Sequence, residues 1–283
     1  MANDAVLGRA PARRAAPGAA PGLPAAWRLV GNPWLITLAA ALAVVAAWQA
    51  TGTTPRAVAS LWQWLPALLR GLWVNIEISV LAVALGTAVG LVFGALSLSP
   101  VHAVRVAVRC YVQAFRNAPI LVLIYFTTYV FPFEMHLVQW TFPFPDWVKV
   151  VLGLALPTSA NVAEIFRGAI QSIPAAQWEA AQSLAFRRGQ IFRWVVLPQC
   201  VRRMLPPWMN LYASITMSTS LASLVGVHDV VDTAQIASNT VARTDFTILV
   251  YFTLLALFFA YCYPIARATR ALERRQATTG PTP

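Results

Sequence analysis

The stretch that decides the fold class lies at residues 71–97 and reads GLWVNIEISVLAVALGTAVGLVFGALS. Glu77 is its only charged residue. As a helix it would be about 40 Å long, enough to cross the hydrocarbon core of a bilayer. Across all 283 residues only 11% are charged and the mean hydropathy is +0.62, whereas soluble domains carry about 25% charged residues. The sequence therefore predicts an all-α integral membrane protein.

Other apolar segments of similar length lie on both sides of this stretch. Together they predict about six transmembrane helices, the others lying at about 33–50, 108–131, 149–171, 204–226 and 246–266. Residues 1–30 are rich in Ala, Pro and Arg without a hydrophobic period, so we expect a disordered tail. The segment 271–283 is expected to be a second tail.

The basic residues indicate the orientation of these spans. The chain has a net charge of +11, and its arginines are concentrated in alternate connections. One set comprises Arg9, Arg13, Arg14, Arg28, Arg105, Arg109, Arg187, Arg188, Arg193, Arg202, Arg203, Arg267, Arg270, Arg274 and Arg275, and the opposite set only Arg56, Arg70, Lys149 and Arg243. By the positive-inside rule both termini and the loop 172–200 are cytoplasmic. Topology thus explains the charge, and we expect no nucleic-acid partner.

The loop 172–200 is long for a helix connection and its sequence favours helix. Pro174 suits a first helical turn, and the Ala, Gln and Glu residues after it favour a helix to about Leu184. Trp178, Ala181 and Leu184 would form its apolar side. Gly189 is the expected turn, followed by a short helix at 190–196 that Pro198 ends. From spacing alone, two interpretations stay open: a hairpin lying on lipid, or a surface that docks a protein.

The same loop resembles a known family motif. Glu179-Ala180-Ala181, a small residue at Ala185, Val195, and Leu197-Pro198 match the spacing of the EAA loop of binding-protein-dependent ABC importer permeases. Ala185 stands where glycine is usual, and glycine there would tolerate a positive φ in the turn. The resemblance implies that the loop contacts an ATPase. Its coupling residues would be Trp178, Glu179, Ala180, Ala181, Ala185, Gly189, Leu197 and Pro198.

Four more stretches, in the order seen in the family, resemble its polar amino-acid branch. They read FRNAP at 115–119, AEIFRGAIQSIP at 163–174, LPQCVRRMLPP at 197–207 and TSLASLVGV at 219–227. The resemblance implies a five-span permease domain at about 70–270, with 33–50 as an additional first span in a bacterial inner membrane. The implied partners are two ATPase subunits, a second permease subunit, identical or related, a periplasmic solute-binding protein and membrane lipid. Apolar Leu123 and Met217 stand where relatives often carry glutamine and lysine.

Polar residues inside predicted spans are candidates for the translocation path, because burying them in lipid is costly. Asn161 and Glu164 recur on the fourth span, where Glu164 could instead form a structural ion pair with Arg167. The fifth span carries a stripe formed by Asn210, Ser214 and Ser218. The resemblance implies that this span lines the path, although small hydroxyl residues also serve helix packing. For Asn75 and Glu77, near the outer end of the second span, we expect solvation at the interface.

Other function classes fit the sequence less well. An ion-coupled secondary transporter would show inverted repeats and several acids in the membrane centre, and an intramembrane enzyme would need a nucleophile and base in the apolar layer. The sequence shows no repeat, and His102, His136 and His228 lie in predicted loops. It also lacks the G-x-x-x-x-G-K-[ST] run that holds phosphates. We therefore expect a transport subunit without catalytic residues, cofactor or metal, in which a partner hydrolyses ATP.

Overall fold

The computed structural model describes residues 55–137 and 140–279. The regular structure of this part is mainly helical, as the sequence predicted. One two-stranded hairpin, which the sequence did not predict, is the exception. Its elements are α1 (Pro55–Leu96), α2 (His102–Asn117), α3 (Ile120–Val130), β1 (Glu134–Leu137), β2 (Trp140–Pro143), α4 (Asp146–Gln171), α5 (Ala175–Ser183), α6 (Arg188–Gln190), a π-helix (Ile191–Val196), α7 (Leu197–Ser218), a 3-10 helix (Thr219–Val225), α8 (Val230–Val241) and α9 (Thr244–Thr279).

Three of the described helices are long and apolar enough to cross a membrane, namely Arg56–Leu96, Asp146–Gln171 and Thr244–Arg274. They contain the predicted spans 149–171 and 246–266, and the predicted span 71–97 up to Leu96. The predicted span 204–226 corresponds to α7 and the 3-10 helix after it. The tail 1–30 and the first span 33–50 lie outside the described residues.

The predicted span 108–131 is not one helix. α2 ends at Asn117 and α3 begins at Ile120, with extended backbone at Ala118 and Pro119, where ψ is 136° and 129°. Proline has no N–H for the helix ladder, and its ring disfavours helical backbone in the residue before it. The prediction of a continuous span is therefore wrong, and Pro119 provides the physical reason.

A row of glycines brings α1 and α4 into close contact. Gly86, Gly90 and Gly94 are four residues apart and share one face of α1. A Cβ on Gly86 would lie 2.6 Å from the side chain of Thr158, and one on Gly90 would lie 2.6 Å from the carbonyl oxygen of Ser159. Small residues at this spacing are typical of helix contacts in membranes, where close packing replaces the hydrophobic drive of water. This pair forms the centre of the described fold.

The main apolar core lies where α1, α3, α4 and α7 meet. Ile78, Ile124, Val150, Leu154 and Ile215 belong to one cluster, and none of them is more than 2% exposed. The outward faces of α1 and α9 are by contrast apolar and exposed, as with Trp62 and Leu255. Such faces suit contact with lipid or with another membrane subunit.

The two ends of α4 carry different structures. The end at Asp146 lies near the segment 226–241, called the cap below, since Asp146 and His228 line one cavity of about 360 Å³. At this end Lys149, fully buried, places its Nζ 3.0 Å from Asp146 Oδ1 and 3.8 Å from the ring centroid of Phe133. The opposite end, at Gln171, continues into the residues 172–200, called the knob below.

Candidate coupling surface and translocation face

The knob consists of two helical arms joined by a turn. α5 is the first arm, and the second runs from Arg188 through the π-helix into α7. Both arms begin at defined points: Pro174 precedes α5 with extended backbone, and the backbone N–H of Arg187 donates to Gln190 Oε1 at 2.8 Å. The two helical segments predicted from the sequence are therefore present.

The turn between the arms lies at Ala185 rather than at Gly189. Ala185 has φ of 59°, in the left-handed region that glycine favours, whereas Gly189 lies inside α6. A Cβ on Gly189 would meet no atom within 4 Å. The prediction of a turn at Gly189 is therefore wrong. Glycine propensity misled it, because hydrogen bonds from Ala185 N to Gln182 O and from Phe186 N to Ala181 O close the turn earlier.

Pro198 does not end the second arm, contrary to the prediction. The helix continues from Arg188 to Ser218 without a non-helical residue, and residues Ile191–Val196 form a wider π-helix just before the proline. A proline inside a helix removes one N–H and crowds the carbonyl of the residue four positions earlier. A π turn shifts the local hydrogen bonding and leaves room for the ring. The Leu197-Pro198 pair therefore lies within a continuous helix.

The inner side of the knob is packed against the end of α4. Ala181, Ile191 and Val196 are at most 4% exposed and cluster with Phe166 and Ile170. Two polar contacts join the arms to their surroundings. Gln199 Nε2, on the second arm, donates to Gln177 Oε1 on α5 at 2.5 Å, and Arg203 Nη1 donates to Ser172 Oγ at 2.8 Å. The knob is thus fixed to the membrane-spanning part of the chain.

The outer side of the knob is open. Glu179 and Ala180 are exposed, and the Glu179 carboxylate makes no hydrogen bond or ion pair within the described part of the chain. Leu184, predicted to lie on the packed side of α5, is 71% exposed, and Trp194 is 68% exposed. Trp178 is half-buried. Exposed apolar side chains grouped beside charges are typical of a protein-docking surface. The sequence pattern missed Leu184 because the left-handed turn follows it directly and ends the helical period.

Two side-chain pairs mark the polar face of α4. Arg167 Nε donates to Glu164 Oε2 at 3.0 Å, which confirms the predicted ion pair. Arg116 Nε, at the end of α2, donates to Asn161 Oδ1 at 3.3 Å. Asn161 and Glu164 are both half-buried. The two predicted path residues of α4 are thus each paired with an arginine: Asn161 with Arg116, near the break between α2 and α3, and Glu164 with Arg167 on α4 itself.

The polar stripe of α7 is open along its length. Asn210 and Ser214 are exposed and Ser218 is half-buried, with its hydroxyl donating to Ser214 O at 3.0 Å. Thr216 and Thr219, which lie beside the stripe in sequence, are buried and serve packing. The hydroxyl residues of this span therefore divide into a buried set and an open set.

Comparison with known proteins identifies the family. The model of the family described as "Binding-protein-dependent transport system inner membrane component" matches residues 86–278. The chain belongs to this family. The match includes the knob and the polar faces of α4 and α7, and it leaves out the residues before 86. This chain is therefore a multi-pass membrane protein and a subunit of a transport system.

Relatives within the family have transport names. The octopine transport system permease protein OccM of Rhizobium radiobacter is 34% identical over 76% of this chain and 88% of its own length. The probable glutamine ABC transporter permease protein GlnP of Bacillus subtilis is 28% identical over 74% and 93%. The L-cystine transport system permease protein TcyB of the same species is 29% identical over 74% and 86%.

Solved structures of the same fold belong to ABC transporters. A crystal structure of an amino acid ABC transporter with histidines aligns with a TM-score of 0.65 at 24% identity, covering 76% of this chain and 97% of that one. An inward-facing MetNI methionine ABC transporter aligns with a TM-score of 0.54 at 16% identity, covering 74% and 97%. These likenesses establish the fold of the permease domain.

At the cap end a buried polar network joins α1 to the cap. Asn75 Nδ2 donates to Asp229 Oδ2 at 3.0 Å and to Thr219 Oγ1 at 3.1 Å, while its Oδ1 accepts from Val230 N at 3.0 Å. Asn75 is 1% exposed and Asp229 is fully buried. Interfacial solvation, predicted for Asn75, is therefore wrong, although Glu77 is exposed as predicted.

Asp229 also caps α8. Its Oδ1 accepts from the backbone N–H groups of Val231 and Asp232 at 2.9 and 2.8 Å, which satisfies two amides at the start of the helix. Burial raises the pKa of the Asp229 carboxyl to about 6, although these hydrogen bonds and the one from Asn75 act to lower it. Asp229 thus connects the cap to α1 and caps the start of α8.

Proposed function

We propose that this chain is the permease subunit of an ATP-driven ABC importer that carries polar amino acids or close analogues across a bacterial inner membrane. Its family membership and the transport names of OccM, GlnP and TcyB support this substrate class. The observation that carries the proposal is the exposed side of the knob, which lies where the family's EAA motif falls.

In this proposal the knob is cytoplasmic and docks on an ATPase subunit. Trp178, Glu179, Ala180 and Ala181 on α5, the turn at Ala185, and Gly189, Leu197 and Pro198 on the second arm would form the coupling element. Exposed Leu184 and Trp194 supply the apolar contact that a stable interface needs at its centre. Glu179 supplies a carboxylate that has no competing partner among residues 55–137 and 140–279. Two ATPase subunits would serve a dimer of permeases.

The translocation path would lie between this chain and a second permease subunit. Asn161 and Glu164 on α4 and Asn210, Ser214 and Ser218 on α7 would line it, because open polar side chains on membrane helices are stable only against water or a partner. A solute-binding protein would dock at the cap end, and the apolar faces of α1 and α9 would contact lipid. We further propose six spans with both termini cytoplasmic, the first span being 33–50.

The test is to separate coupling from insertion. We expect Glu179→Ala and Glu179→Lys to leave the permease in the membrane at normal abundance while lowering ATPase co-purification and transport. The matched control is Glu77→Ala, which removes an exposed carboxylate outside the knob and should leave both readouts unchanged. If the Glu179 variants keep wild-type transport and ATPase binding, the knob does not couple through this residue.

A further inference from the structure

α2 has a polar face whose role the proposed path does not explain. Exposed residues on this face recur at helical spacing: Arg109, Gln113, Arg116 and Asn117. The exposed residues that point away from this face, such as Ala107 and Ala114, are small and apolar. A helix of this kind turns its apolar face to lipid and its polar face to water, to polar protein groups or to a ligand.

The polar face borders a cavity of about 180 Å³, called the α2–α4 cleft here. Its polar lining comes from three elements: Ser97 after α1, Arg109 and Gln113 on α2, and Glu164 and Arg167 on α4. The apolar remainder comes from valines and an alanine of α2 and α4. The cleft is too small for a whole drug-sized ligand, which needs about 300 Å³ or more, but it accommodates a small charged head group.

The charges around the cleft are not balanced. Arg167 is fully engaged, with Glu164 and with Gln171 Oε1 at 3.0 Å from its Nη1. Arg109 makes no hydrogen bond or ion pair with any residue that the structure describes. Arg116 makes a single bond, from Nε to Asn161, which lies one turn from Glu164. The guanidinium groups of Arg109 and Arg167 thus line a cleft that holds one carboxylate, and the donors of Arg109 are not used by any residue that the structure describes.

We propose that the α2–α4 cleft binds the zwitterionic head group of an α-amino acid. The Arg109 guanidinium would hold the α-carboxylate, since the planar fork of arginine matches a carboxylate in a bidentate contact. The ammonium group would donate to Glu164, whose two oxygens still have free lone pairs beside their bonds to Arg167. The side chain of the amino acid stays outside the cleft, so the site recognises the part common to all amino acids. The inference rests on the proposed function and adds a binding site to it.

Site-resolved chemical labelling tests this proposal on the wild-type chain. The purified full-length protein in phosphatidylcholine nanodiscs would be treated with phenylglyoxal, and labelling of each arginine would be followed by peptide mass spectrometry. Arg267, exposed on α9 and remote in sequence from the cleft, is the internal reference. The ratio of Arg109 to Arg267 labelling cancels any loss of reagent to the added amino acid.

At constant ionic strength we expect glycine, the smallest α-amino acid, to lower this ratio about threefold or more, because a bidentate carboxylate blocks the guanidinium. Acetate should protect less, and methylammonium should not protect. In Glu164→Gln, glycine should protect no better than acetate. Equal protection by glycine and inorganic phosphate would overturn the zwitterion assignment, as would an unchanged ratio.

A lipid phosphate is the competing source of an oxyanion at this depth. Nanodiscs containing phosphatidylglycerol distinguish it: protection by this lipid, with no further effect of glycine, would overturn the proposal. The result is also independent of coupling, since labelling requires no ATPase. If Glu179→Ala fails to uncouple while glycine still protects Arg109, the coupling assignment fails and the cleft site stands. The reverse pattern removes the cleft site alone.

Discussion

The cap and the knob differ in how their polar groups are satisfied. At the cap, Asn75 and Asp229 are buried and hydrogen-bonded to one another. At the knob, Glu179 is exposed, its carboxylate has no partner in the part of the chain that the structure describes, and Trp194 is 68% exposed. The cap is therefore stabilised within the chain, whereas the knob has a packed inner side and an unsatisfied outer side. Substitutions at the two ends should therefore separate effects on stability from effects on binding.

The largest expected effect on stability is at the cap. Asn75→Leu keeps the approximate size of the side chain. It removes the hydrogen bonds that Asn75 makes with Thr219, Asp229 and the Val230 N–H, all of which are buried. We expect a loss of about 3 kcal/mol in the free energy of unfolding, because each buried unsatisfied group costs about 1–3 kcal/mol. Thermal unfolding of the purified chain measures this. Glu77→Gln, exposed on the same helix, is the control, and a similar small change in both variants would contradict the prediction.

Asp229 should make the free energy of unfolding depend on pH, by an amount comparable to or smaller than the effect of Asn75→Leu. Its pKa is about 6 in the folded protein against an ordinary value of 3.8, so the folded state holds this proton more tightly than the unfolded chain. The stabilising contribution is therefore full below about pH 4 and is lost as the pH rises through about 6, with a limit of about 3 kcal/mol at about 1.4 kcal/mol per pKa unit.

The measurement compares wild type with Asp229→Asn between pH 4 and about 8. Other titrating groups contribute to both proteins, so the stability difference between them isolates Asp229. Wild type should lose its relative advantage as the pH rises, while the negative charge of Asp232 nearby strengthens the trend. A difference that stays constant, or grows with pH, would show that burial does not govern this carboxyl.

An intermediate effect is expected at the turn of the knob. Ala185→Val should destabilise by about 1–2 kcal/mol, because a β-branched residue is strained at a φ of 59°. Ala185→Gly should be neutral or stabilising by up to about 1 kcal/mol. Gly189→Ala serves as the reverse control, since alanine favours helix there and meets no neighbouring atom. In both limited proteolysis of the knob and thermal unfolding, we expect stability to increase in the order Ala185→Val, wild type, Ala185→Gly.

The smallest effect on stability, with the clearest effect on binding, is expected for Trp194→Ser. The side chain is 68% exposed, so its loss should change the free energy of unfolding by less than about 0.5 kcal/mol. ATPase co-purification should nevertheless decrease, because exposed tryptophans are frequent centres of interfaces. Trp62→Ser on α1, where the side chain is 69% exposed, is the matched control. Equal ATPase binding by the two variants would remove Trp194 from the docking surface.

The features that the sequence predicted correctly depend on local composition. Residues 71–97 and the other long apolar runs identify the membrane class without any tertiary information. The two-armed knob follows from Pro174 and the helix-forming residues after it. The Glu164–Arg167 pair is also local, since residues three apart on a helix are neighbours. All of these depend on residues that lie close together in the sequence.

The features that were missed depend on distant contacts. Asn75 was predicted to be interfacial. Its partners Thr219 and Asp229 are 144 and 154 positions away, so the local sequence gives no sign of the contact. The π-helix before Pro198 leaves no sequence signature, so the proline reads as a stop. The break at Pro119 is the exception, because the restriction on the residue before a proline is visible in the sequence. The segment 108–131 was nevertheless predicted as one span because it is largely apolar on both sides of Pro119.

The continuous helix from Arg188 to Ser218 has a mechanical consequence. Its 31 residues, counted from those two ends, correspond to a length of roughly 46 Å at 1.5 Å per residue. A pivot of about 5° at the Arg188 end would displace the opposite end by about 4 Å over that length. Because Ser214 and Ser218 lie at that far end, a small angular change imposed on the second arm would move them by more than the width of a water molecule.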